Sequence, residues 1–136
     1  MKSKGFSLLE IIFSLLIISI LFMVATAFFK DTLNKSKQLQ LKNDILTIQS
    51  AINQYKNTQL LKNEDPHLYE LDTNEQELFS HVLTNPILSS SDGWEKIDTT
   101  QYIYHINDIN LAFYYNENNF LFSCDKTIPL CKEVLE

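Results

Sequence analysis

The sequence predicts an α+β protein in which one long N-terminal helix packs on a small antiparallel β-meander. Three observations predict it. Residues 11–29, between Glu10 and Lys30, carry no charge. An apolar stripe of Leu41, Ile45, Ile48, Ile52 and Tyr55 follows at spacings of four, three, four and three, the period of one helix face. Towards the C-terminus three segments alternate apolar and polar side chains, as half-buried strands do.

The chain opens MKSKGFSLLEIIFSLLIISILFMVATAFFK. As an α-helix, residues 11–29 span ~28 Å, about the hydrocarbon thickness of a bilayer. Lys2 and Lys4 ahead of this run, and an acidic chain behind it, favour a start facing the cytoplasm and a body outside it. Glu10 is the odd residue. A carboxylate at the entrance to hydrocarbon is costly unless something pairs with it.

Three readings compete for this stretch. In the first it is a plain single-pass anchor, with Glu10 marking the interface. In the second it is a cleaved secretory signal, because Ala25, Thr26 and Ala27 fit the small-residue cleavage pattern. That apolar run is longer than an ordinary signal core, and an acid stands where the n-region should be basic. The third uses the residues together. Gly5-Phe6-Ser7-Leu8-Leu9-Glu10, between a short basic leader and a long apolar helix, resembles the class III leader of type IV pilins and type II secretion pseudopilins.

The resemblance implies a prepilin peptidase that cuts between Gly5 and Phe6 and methylates the new Phe6 amine. It divides the chain into a leader at 1–5, a transmembrane and filament-core helix at 6–30, and a periplasmic pilin-like domain at 31–136. Such a cut puts an α-amine four positions ahead of Glu10. With a reference pKa of about 8 that amine is largely protonated near neutral pH. In a filament, Phe6 of one subunit would neutralise Glu10 of a neighbour. Removing one partner of such a buried pair typically costs about 3 to 5 kcal/mol, which would make Glu10 a register device for assembly.

Beyond Lys30 the helical pattern continues, with Lys35, Lys37, Gln38, Lys42, Asn53 and Gln54 on its wet faces. Neither Pro nor Gly occurs from Phe6 to Asp65, so anchor and stripe are expected to form one helix of ~80 Å. Its amphipathic part covers 31–58. The stripe lasts barely two heptads, too few for a coiled-coil seam, so it is expected to pack on a domain of its own chain. Many pilins bend their membrane half at a proline. This chain has none there, and no kink is expected.

Residues 59–71 are polar, contain Pro66 and read as a loop. Asp72 and Thr73 are possible N-caps before Leu78, Phe79, Val82 and Leu83, which predicts a short helix over 73–83. The run of Ser89, Ser90, Ser91, Asp92 and Gly93 marks 86–100 as a turn-rich linker. Trp94, the only tryptophan, is read as a core plug ahead of an exposed contact, because an indole brings a large apolar area. Strands are expected at 101–106, 109–115 and 120–123, joined by a two-residue turn at Asn107 and Asp108 and a longer one over 116–119. Their apolar face needs a cover, and the stripe at 41–55 supplies it. The same architecture is what the resemblance implies.

Cys124 and Cys131 are the only cysteines. Given an exported domain, they are read as a disulfide formed in an oxidising compartment, stabilising by ~2 to 3 kcal/mol. The resemblance agrees, since many pilins staple their C-terminal segment in this way. The alternative is two thiols in a reduced protein. A metal site is the weakest reading, with no further cysteine and no neighbouring histidine.

The formal net charge is −6, and losing Lys2 and Lys4 takes it to −8. Arginine is absent. A basic nucleic-acid footprint is therefore missing, and direct contact with nucleic acid is not expected. His67, His81 and His105 scatter over a loop, a helix and a strand and form no catalytic grouping. With Gly5 and Gly93 as the only glycines, no phosphate-cradling loop is available. Some pseudopilins bind calcium near the sheet. Asp92, Glu95 and Asp98 do not match that motif residue by residue, so no metal, cofactor or catalytic residue is assigned.

The expectation is a structural subunit of a type IV pilus or secretion pseudopilus. Its partners would be prepilin peptidase, other pilin or pseudopilin subunits and an inner-membrane assembly platform. It would reside in the bacterial inner membrane, N-terminus inward, until extracted into the filament. A DNA-uptake pseudopilin is an alternative within the family. Outside it stand an anchored periplasmic binding module that never polymerises and an anchored enzyme, the latter needing a convergent polar pocket that no motif advertises.

Overall fold

The computed structural model describes residues 5–136. The basic leader residues Lys2 and Lys4 lie outside the described residues. The chain forms two compact units, Met1–Ser36 and Lys37–Glu136.

The first helix, α1, runs over Leu8–Leu61 without interruption. It ends three residues later than the expected 58, and its end has a physical cause. Asn63 adopts a left-handed φ of 56°, and the Glu64 amide donates back to the Gln59 carbonyl at 3.0 Å. That six-to-one bond closes the last turn, and asparagine tolerates the left-handed backbone it needs.

In Lys37–Glu136 the core is assembled from the expected stripe and the expected strands. Leu41, Ile45, Ile48 and Ile52 are buried, and Tyr55 packs against their cluster. They share this core with Trp94, Tyr102, Tyr104, Phe113 and Phe122. Trp94 is 1 % exposed, a core plug, and meets the rings of Tyr104 and Phe113 edge-on at 5.0 and 4.9 Å. Its indole N–H donates to the Asp44 carboxylate at 2.9 Å, so the ring is buried without stranding its one polar atom.

The main sheet is an antiparallel meander of four strands in sequential order, one more than expected. These are β3 (Trp94–Asp98), β4 (Gln101–Ile106), β5 (Ile109–Asn116) and β6 (Leu121–Cys124). Ile106 pairs with Ile109 around the anticipated two-residue turn, where Asn107 takes a φ of 52°, as primed hairpin turns require. β6 begins one residue later than expected, because Phe120 has a φ of 58° and belongs to the turn. The Gln49 side chain covers the β6 edge, accepting from the Phe122 amide at 2.8 Å and donating to the Phe120 carbonyl at 2.9 Å. One helix amide thus replaces a missing neighbouring strand.

Two expectations are corrected. The short helix over 73–83 does not form. In its place β1 (Glu77–Leu78) pairs antiparallel with β2 (Ile87–Leu88). The Asn74 side chain accepts from the amides of Gln76 and Glu77 at 2.9 and 2.7 Å, an asparagine turn that competes with a helical start. Phe79 then has a left-handed φ of 61°, which no helix interior accommodates. The supposed linker over 86–100 likewise contains β3. Its inward side chains are Trp94 and Lys96, opposite Tyr104 and Tyr102, and a lysine on the core face disguised the alternation. A second helix, α2 (Pro129–Leu135), starts with a proline in its first turn and buries Cys131 and Val134. Proline lacks only an amide hydrogen that a first turn leaves unused.

Candidate processing and assembly site

Gly5, Phe6 and Ser7 precede α1 without helical structure. The Ser7 carbonyl accepts from the amides of Glu10 at 2.9 Å and Ile11 at 3.2 Å, so the helix is anchored directly behind the bond between Gly5 and Phe6. Phe6 is 76 % exposed. A Cβ placed on Gly5 would meet none of the described residues within 4 Å. Among the described residues, none makes a demand for glycine there. Glu10 sits in the first turn of α1, where the helix dipole favours an anion. Among the described residues, no side chain pairs with its carboxylate.

From Leu8 onward the surface of this part of α1 is apolar, with Leu15, Leu21, Phe22, Met23 and Phe29 all exposed. Its hydroxyls are satisfied internally. Ser14 donates to the Glu10 carbonyl at 2.8 Å, Ser19 to Leu15 at 2.7 Å, and Thr26 to Met23 at 2.9 Å. Such back-bonding leaves no hydroxyl needing water, as a segment in hydrocarbon or against another helix requires. α1 is long and apolar enough to cross a membrane.

Cys124 and Cys131 form the expected disulfide, which ties β6 to α2. The three histidines make separate contacts. The His67 ring pairs with Asp65 at 3.1 Å, His81 Nδ1 donates to the Glu70 carbonyl at 2.8 Å, and His105 bridges Glu95 and Asn110, each at 2.8 Å. Those two acceptors, Asn110 first, raise the His105 pKa. Asp92, Glu95 and Asp98 are not brought together. They pair with Lys37, with His105 and with the Thr99 amide. Among the described residues, no group of three or more His, Cys, Asp or Glu side chains could hold a metal ion.

One polar constellation escaped the sequence reading. Asp72 is fully buried and accepts from Lys96 Nζ at 2.6 Å, from the Tyr102 hydroxyl at 2.7 Å and from the Phe79 amide at 3.3 Å. Its partners lie 24 and 30 residues away along the chain for Lys96 and Tyr102, so no local spacing announces them. Burial, reinforced by the bond to Asp72, pushes the Tyr102 pKa far above the usual phenol range. Burial also raises Tyr104 and Tyr115 to about 12 each. Asp44 is raised by burial, against the lowering effect of its bond from Trp94.

Residues 1–26 match a family described as the prokaryotic N-terminal methylation motif. The chain carries an N-terminal methylation motif. The match includes Gly5, Phe6 and Glu10 and ends inside the apolar run at Thr26, so it bears on the methylation motif and leaves Lys37–Glu136 to its own geometry. No curated protein and no solved structure matches the chain.

Proposed function

We propose that this protein is a pilin-like structural subunit, cut and methylated at the membrane and then assembled into a type IV pilus or secretion pseudopilus. One observation carries the reading: a matched methylation motif leads directly into an exposed apolar helix surface over 8–29 whose lone acid is Glu10. Hydrolysis between Gly5 and Phe6 leaves a carboxylate on the leader and an amine on Phe6, which then accepts a methyl group from a methyl donor. Because none of the described residues requires glycine at position 5, that residue serves the peptidase. The apolar surface stores the subunit in the bilayer, N-terminus inward, and is later buried against the helices of other subunits on an inner-membrane assembly platform. The Phe6 amine of one subunit neutralises Glu10 of the next. Placing Lys37–Glu136 outside the inner membrane agrees with its disulfide. This work is mechanical and uses no cofactor or catalytic residue.

The test is the intact mass of the protein isolated from membranes. Loss of Met1 to Gly5 with a gain of one methyl group supports the reading. A retained leader, as in a non-polymerising anchored module, or a terminus at Phe28 from signal cleavage, overturns it.

A further inference from the structure

Two adjoining clefts open on Lys37–Glu136. The first, of about 420 Å³, lies between Tyr55, His67 and His81. The second, of about 580 Å³, lies between Thr99, Tyr114 and Asn118. Tyr69 and Glu70 line both. Each is of the size that small-ligand sites occupy.

The backbone beneath Tyr69 is held from several sides. The carbonyl of His67 accepts from the Tyr55 hydroxyl at 3.1 Å, and that of Leu68 from the Tyr115 hydroxyl at 2.9 Å. His81 holds two more beyond Tyr69, through Nδ1 to the Glu70 carbonyl at 2.8 Å and its amide to the Leu71 carbonyl at 3.0 Å. Leu68 and Leu71 are buried on either side, yet Tyr69 is 63 % exposed. The His67 ring stacks parallel to it, with an interplanar angle of 3° and centroids 5.7 Å apart. A rigid loop therefore holds an aromatic surface out towards solvent. Tyr114, on the outward side of β5, offers a second ring at 49 % exposure.

We propose that the joined clefts bind a neutral oligosaccharide of two or more rings, laid across Tyr69 with Tyr114 as a second platform. A sugar ring presents a patch of C–H bonds, slightly positive, that suits the negative face of an aromatic ring. Its hydroxyls need both donors and acceptors. Glu70 and Glu117 supply acceptors, and Asn116 and Asn118 supply both. Among the described lining residues there is no lysine, and Glu70 and Glu117 repel phosphate, sulfate and uronate groups. The shared wall at Tyr69 favours a chain of sugars over a single ring. The parallel His67 and Tyr69 rings form no cage around a cation, so a basic peptide is the weaker fit and is an outcome of the test. Preorganisation of the loop lowers the cost of ordering it on binding.

The test uses the full chain in lauryldimethylamine oxide, a detergent without sugar. Cellotetraose, chitotetraose, maltotetraose, mannotetraose and galactotetraose are titrated at up to millimolar concentration, with tetralysine in parallel, and binding is read by calorimetry and saturation-transfer NMR. At least one tetrasaccharide binds. Tyr69→Ala and Tyr114→Ala each weaken it about tenfold, Tyr69→Phe preserves it, and Asn118→Ala, on an exposed turn, weakens it about threefold. Circular dichroism checks that each variant keeps its fold. Binding of no tetrasaccharide, binding indifferent to Tyr69→Ala, or binding of tetralysine alone overturns the proposal.

Discussion

The two parts of α1 share one backbone conformation and differ completely in what their apolar side chains touch. In Lys37–Glu136 the helix turns Leu41, Ile48 and Ile52 onto the sheet, and each is 0 % exposed. In Met1–Ser36, Leu15, Phe22 and Phe29 remain 58, 72 and 68 % exposed. A stripe one residue in three or four wide is sized for one partner surface within the chain. A helix apolar all round is sized for a medium, which means lipid or a ring of other helices. The residues of the second part are explained by this chain's own fold, and those of the first are not.

That contrast can be broken by substitution. Trp94→Ala should destabilise the domain by about 3 to 5 kcal/mol, through lost burial and the cavity left behind. Phe22→Ala, in the same detergent-solubilised chain, should leave the unfolding midpoint unchanged. Far-ultraviolet circular dichroism against guanidinium measures both. Equal losses would mean that the exposed part of the helix helps to hold the domain together. Asp72→Ala comes next. It leaves the Lys96 ammonium, only 11 % exposed, without its carboxylate, and should cost about 3 kcal/mol. The same denaturation series checks it, and a loss under about 1 kcal/mol would contradict the pairing described for Asp72.

The smallest effect is a pH dependence. Asn110 and Glu95 both favour the protonated His105 ring and raise its pKa, with Asp92 adding a weaker attraction from the turn before β3. A raised folded-state value means that the stabilisation is fully present below the unfolded value of about 6.5 and is lost as pH rises through the folded one. The stability difference between the native chain and His105→Gln should therefore shrink above about pH 6.5, from a maximum under about 1 kcal/mol. A difference that grows with pH would have the wrong sign.

The parts legible in the sequence are those whose signal is local. The stripe from Leu41 to Tyr55 and the alternation in β4 and β5 announce themselves within a few residues, and the core uses them as expected. Gly5, Phe6 and Glu10 are legible for the same reason, being one short motif at a fixed place. What escaped depends on distant partners or on backbone angles. Lys96 occupies a core-facing position of β3 only because Asp72 waits there, so the binary pattern of that strand reads as noise. Phe79 carries an apolar side chain suited to a helix, but its φ of 61° and the Asn74 turn direct the chain into β1. α2 is seven residues long and begins at a proline, too brief for a period to show.

The most direct test of the account is photo-crosslinking from position 22 in living cells, with the native chain and with Glu10→Ala. On the processed native chain the probe, placed on the exposed apolar surface, should yield adducts with the mass of a second processed subunit, and Glu10→Ala should sharply reduce them. A correctly trimmed chain that crosslinks only to lipid, with Glu10→Ala changing nothing, would contradict the claim that this surface exists to exchange the bilayer for neighbouring helices.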